Sequence, residues 1–124
     1  MQSLPQSTIL GNLTLIETFE QYDIPGLFSC KNRSGQHYLA LSEDAYASTW
    51  FYLPVSPQKL DKIRFGKTDI CEACLTAEDG FLFEVVMSGD DTIVKSVSCG
   101  EIQEDRLPHR GKRLSVPENM NAQH

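Results

Sequence analysis

Cys71 and Cys74 stand three positions apart in TDICEACLTAEDGFLFEV, the spacing of a zinc knuckle or of a redox-active thiol pair. Two further cysteines, Cys30 and Cys99, bring the total to four. A structural zinc site usually draws its ligands from two closely spaced pairs, because each pair then sits on one tight knuckle, and here there is one pair. Redox chemistry needs the pair at a helix N-terminus after a βα unit, where the helix dipole lowers a thiol pKa; NRSGQHYLALSEDAYASTWFYLPV, upstream, has no βαβ pattern. Ile70, Ala73 and Cys74 instead fall at i, i+3 and i+4, the stripe of a core-facing helix. We therefore expect reduced thiols, no metal and no cofactor.

Paired carboxylates could do acid–base work or hold a divalent cation, and they occur as Glu43–Asp44, Glu78–Asp79 and Asp90–Asp91. All three pairs fall in predicted turns, where acidic residues are usually solvated or cap backbone groups. His37, His109 and His124 form no relay by spacing, and no EF-hand, phosphate-binding glycine loop or nucleophile elbow is present. No catalytic residue is nominated. The enzymatic alternative is a small metal-dependent hydrolase or nuclease-like enzyme using Glu43, Asp44, Asp90 or Asp91, with Mg²⁺ as its cation.

Two features suit binding better. In TWFYLP, strand alternation points either Phe51 or the pair Trp50 and Tyr52 outward unless both sheet faces are covered, and exposed aromatics are common interface anchors. The second feature is a charge asymmetry. The chain carries net −6, but after Asp105 the four cations Arg106, Arg110, Lys112 and Arg113 face Glu118 alone, leaving an acidic body of −9 and a tail of +3. That tail could contact an acidic partner, nucleic acid or the body itself. The overall acidity argues against strong general binding to nucleic acid.

At 124 residues and 40% hydrophobic composition the chain is expected to form one globular domain over residues 1–105, with residues 106–124 an extended basic tail or linker. No apolar run is long enough for a membrane span and no signal core is evident at the start, so the cytoplasm is the expected compartment. NLTLIETFEQYD alternates Leu13, Leu15 and Phe19 against Thr14, Ile16 and Thr18 as a strand with one strongly apolar face, DIPG suits a type II turn at Pro25–Gly26, and LFSCK and QHYLALS flank the turn NRSG. STWFYLPV reads as a strand with Pro54 near an edge or an end. SPQKLDKIRFG carries a full set of helix signals: Ser56 as N-cap, Pro57 in the first turn, Leu60 and Ile63 on one face and Gly66 at the C-terminus. Thr68 is placed to cap a second helix, and FLFEVVM and TIVKSVSC follow as a hairpin. The expected fold is α+β: a single antiparallel sheet of about five to six strands packed on one or two short helices.

LGNLTLIETFEQYDIPGLFSCKNRSGQHYLAL, TWFYLPVSPQKLDKIRFGKTDI and EDGFLFEV resemble a family of small uncharacterised bacterial domains, over about residues 10–88. The resemblance rests on the strand pair, the PVSP lead into the helix and the acidic-Gly-aromatic exit into the next strand. It implies no activity and no functional residues, and positions 71 and 74 need not be cysteine in such relatives. It implies a setting in bacterial operons, including those for defence against phage. The expectation is a non-catalytic adaptor that binds another protein through an exposed sheet face or edge and the basic tail, with Trp50, Tyr52, Arg106, Arg110, Lys112 and Arg113 as contacts. An open sheet edge would also accept a second copy.

Overall fold

The computed structural model describes residues 10–21, 25–42, 49–88, 91–108 and 110–114. Six strands, β1 (Leu13–Gln21), β2 (Pro25–Asn32), β3 (His37–Ser42), β4 (Thr49–Val55), β5 (Phe81–Ser88) and β6 (Asp91–Ser98), form one antiparallel sheet in the order β1-β2-β3-β4-β5-β6. Two helices, α1 (Pro57–Arg64) and α2 (Ile70–Leu75), are inserted between β4 and β5, and two short 3-10 turns follow β6. The expected α+β class and meander are what forms.

Local chemistry explains most boundaries. Ser56 takes the Lys59 N–H on its side chain at 3.1 Å, Pro57 opens α1, and Leu60 and Ile63 are buried, as their spacing predicts. The second helix is capped one residue later than predicted: the Asp69 carboxylate, rather than the Thr68 hydroxyl, accepts the Glu72 N–H at 2.6 Å. A carboxylate also suits the positive end of the helix better than a hydroxyl. Pro25 and Gly26 begin β2 instead of forming the centre of a turn; the first residue of a strand is a place where proline's missing N–H is tolerated. Pro54 lies near the end of β4, past Tyr52, where the β4–β5 register stops, so it is not required to donate on that side.

The largest departure from strict alternation is in β1. Register shifts fall between Leu15 and Glu17 and again between Thr18 and Gln21. The inserted residues exchange the faces: Leu13 packs with Phe28 and Cys30 on one side of the sheet, whereas Phe19 joins the helix-side core. The helix-side core joins Leu39, Leu41, Phe51, Leu53 and Leu82 of the sheet to Leu60, Ile63, Ile70 and Cys74 of the helices. The opposite face holds a second buried cluster built on Phe28, Tyr38, Trp50 and Tyr52, with Leu10 against it.

Candidate interaction site

Trp50 and Tyr52 are 0% and 1% exposed, so of the two outcomes that alternation allowed, the structure has both faces covered. Trp50 stands 5.4 Å from the Phe28 ring, and Tyr52 meets Phe28 and Tyr38 edge-on at 6.3 and 6.4 Å. Burial raises the phenol pKa of Tyr52. These two side chains are core in the folded chain and present no surface to a partner.

The cysteines are likewise placed as apolar residues. Cys30, Cys71 and Cys74 are buried, and all four thiols are free. Burial pushes the Cys30 and Cys74 thiols up to about 12 and raises that of Cys71, the opposite of an activated thiolate. Among the described residues no group of three or more His, Cys, Asp or Glu side chains converges as a metal site would require. Glu78 accepts the Ser56 N–H at 2.7 Å, which lowers its pKa and pins the start of α1. Glu43, Asp44 and Asp90 lie outside the described residues.

Arg106, Arg110 and Arg113 are turned onto the body. Arg106 donates to Glu84, a buried carboxylate on β5 that Lys95 also reaches at 3.2 Å, and its guanidinium lies 4.9 Å from the Phe51 ring centre. Arg110 makes a two-pronged bond to Glu104 at 2.8 and 2.9 Å, with Glu72 at 3.5 Å. Gly111 N–H donates to Asp69 at 3.0 Å, the Lys112 carbonyl accepts the Ile70 N–H at 3.0 Å, and Arg113 donates to the Gly66 carbonyl at 2.7 Å. Leu107 and Leu114 join the helix-side core. Residues 106–108 and 110–114 lie against the body, the latter as a strap over α2 and the turn that leads into it from α1. Of the four cations, Arg106 and Arg110 are paired with carboxylates of the same chain.

Glu84 carries a prediction. Its pKa is lowered below 4.5 first by the hydrogen bond from Arg106, with Lys95 adding to the effect and burial opposing it. A carboxylate lowered by folding stabilises the native state above its unfolded pKa, and this contribution is lost as pH falls through the folded value. Acid titration of stability should therefore be less steep in Glu84→Gln than in the wild type below about pH 4.5. Equal slopes by urea unfolding across that range would remove Glu84 from the acid response.

Among the described residues no further strand pairs with either end of the sheet, and the two ends differ. β1 is broken by its register shifts, a common way to blunt an edge, although Leu15 and Ile16 are 45% and 48% exposed. β6 is paired with β5 in unbroken register from Phe81↔Ser98 to Ser88↔Asp91 and contains no proline. Ile93, at 60% exposed, stands on it beside Thr92 and Lys95, also exposed. The sequence assigns TIVKSVSC to the second strand of a hairpin without singling out Ile93. Its position on the last strand of a meander was the available signal.

Fold and edge together define an α+β protein with an open six-stranded antiparallel sheet, helices on one face and a regular outer strand. The chain belongs to the family described as "Family of unknown function (DUF6575)", whose match spans residues 1–124. No curated protein matches it. No solved structure matches it either. Among the described residues no helix is long and apolar enough to cross a membrane.

Proposed function

We propose that the chain is a non-catalytic interaction module that takes up an extended segment of another polypeptide as an added strand on β6. The observation that carries this reading is the unbroken outer ladder of β6 with an exposed isoleucine on it. An edge strand presents a row of main-chain donors and acceptors that another strand can satisfy, and flanking side chains supply selectivity. The burial of Trp50 and Tyr52 and the internal pairing of Arg106 and Arg110 weigh against the aromatic face and the basic segment as contacts and leave this edge the better supported one. They also weigh against phosphate contacts by these arginines, which would have to give up carboxylate partners. The setting would be a bacterial multi-component system, in the cytoplasm.

The test is a tagged capture with wild type, Ile93→Lys and Leu15→Lys, followed by hydrogen exchange on the recovered complex. Capture by wild type and Leu15→Lys, loss in Ile93→Lys, and protection of the β6 amides are expected. Capture unchanged in Ile93→Lys, or protection confined to β1, would overturn the reading.

A further inference from the structure

We propose that Cys99 and Cys74 are a peroxide-responsive pair that closes as a reversible disulfide between the end of β6 and α2. Of the four cysteines Cys99 alone is partly exposed, while Cys30, Cys71 and Cys74 are each 0% exposed, so an oxidant dissolved in water meets Cys99 first. Its thiol already points at α2, because the Cys99 Sγ–H donates to the Cys74 carbonyl at 3.2 Å. A carbonyl oxygen lies about 2.4 Å from its own Cα, which puts the Cys99 sulfur within about 5.6 Å of the Cys74 Cα. In a formed disulfide the partner sulfur stands about 4 Å from that Cα, so turning the Cys99 side chain off the carbonyl supplies the remaining approach. The other thiols are placed elsewhere. Cys30 belongs to the cluster on the opposite face of the sheet, and Cys71 sits among Glu104, Arg110, Asp69 and Glu72, whereas the groups acting on Cys74 include Cys99 and Lys59.

The bond closes in two balanced steps. The Cys99 sulfur attacks one oxygen of hydrogen peroxide, the O–O bond breaks, the sulfur is oxidised to a sulfenic acid, and the other oxygen leaves with the thiol proton as water. The Cys74 sulfur then attacks the Cys99 sulfur: the S–S bond forms, the S–O bond breaks, and the hydroxyl departs with the Cys74 proton as a second water. Lys59 serves both steps. Its Nζ donates to the Ala73 and Thr76 carbonyls at 3.0 and 2.6 Å, and the charge it carries there is felt by both Cys74 and Cys99, favouring the attacking thiolate at either sulfur. Burial holds Cys74 protonated, which makes the second step the slower one. The finished bond spans 25 positions and clamps the β5–β6 hairpin to the helical layer.

The test treats the reduced full chain with hydrogen peroxide, blocks the remaining thiols with N-ethylmaleimide, and reads intact mass and a tryptic digest. Cleavage after Lys67, Lys95 and Arg106 leaves Cys71 and Cys74 in one peptide, Cys99 in the next and Cys30 in neither. The expected product is a single chain short of two hydrogens with those two peptides joined, and dithiothreitol should restore all four free thiols. Cys71→Ser should form the bond as the wild type does. Cys74→Ser should not, and should instead hold a Cys99 sulfenic acid that dimedone traps. Cys99→Ser changes a partly exposed position and so keeps the proposal testable if Cys74→Ser fails to fold; its three thiols should stay free through the treatment. The oxidised wild type should unfold at a higher urea concentration than the reduced form, because the cross-link restricts the unfolded chain. Four blocked thiols after treatment, a Cys71–Cys74 or intermolecular bond as the main product, loss of the bond in Cys71→Ser, or an oxidised chain no more resistant to urea than the reduced one would overturn the proposal.

Discussion

Replacing Trp50 with alanine should lower the stability of the fold by about 3–5 kcal/mol, the range for removing a large aromatic from a packed core. Trp50 is fully buried, tilted against Phe28 and 6.4 Å from Tyr52, so truncation removes ring contacts on two sides and leaves a cavity beneath neighbours held by the sheet. An anchor on a free surface would behave differently: surface substitutions usually stay within about 0.5 kcal/mol in the unbound protein. The chain has one tryptophan, so the unfolding transition of the variant must be followed by circular dichroism rather than by indole fluorescence. A urea midpoint within experimental error of the wild type would refute the core assignment.

Gly66→Ala should loosen the strap. Gly66 has φ +75°, and a β-carbon there would sit 2.6 Å from the Leu114 carbonyl oxygen, so a side chain is opposed both by the local backbone and by the segment passing over it. The left-handed conformation alone costs an L-residue about 1–2 kcal/mol. The collision adds to this, because the obstructing atom is main chain, and Leu114 is fixed by burial of its side chain and by the neighbouring Arg113 bond to the Gly66 carbonyl. Trypsin cleavage after Arg110, Lys112 and Arg113 should accelerate by at least about tenfold, the factor that 1.4 kcal/mol of local opening would produce. Gly80→Ala separates the two causes: Gly80 has φ +82° with no atom near the added carbon, so that variant should lose stability without exposing the strap. Equal cleavage in Gly66→Ala and wild type would show that residues 110–114 are not held as described.

These two positions also mark what the sequence could and could not disclose. The helix α1 was legible because its signals are local: a serine, a proline and a glycine at fixed offsets, with two apolar residues between them. The meander was legible for the same reason, since NRSG lies between its own strands and Asn32 closes the turn by accepting the Gln36 N–H on its side chain at 2.9 Å. The bulges of β1 were not, because an inserted residue is defined by the register of β2, and no residue of β1 announces it. The strap was missed because Leu107 and Leu114 are isolated apolar residues in a polar stretch, without any periodicity to mark them. A pointer existed elsewhere, in the lone acidic residue of FLFEVVM: a carboxylate in the middle of an apolar strand needs a cation, and the unspent arginines lay downstream. As for the candidate site, alternation gave Ile93 its face, but its exposure depends on β6 being last in the sheet, which is a property of the whole chain's order.

That order also bears on how fast the molecule assembles. Every strand pairs with its neighbour in sequence, so each ladder closes a short loop, apart from the β4–β5 step, which spans two helices. Sheets built from such nearby pairings lose little chain entropy before their contacts form, and they fold faster than sheets of comparable size with distant pairings. The bonds that lock the strap join residues 42 and 47 positions apart, Asp69 with Gly111 and Gly66 with Arg113, and require both helices to be in place. The strap should therefore be the last part to settle, a latch on the finished domain, and weakening it should speed unfolding while leaving the folding rate nearly unchanged.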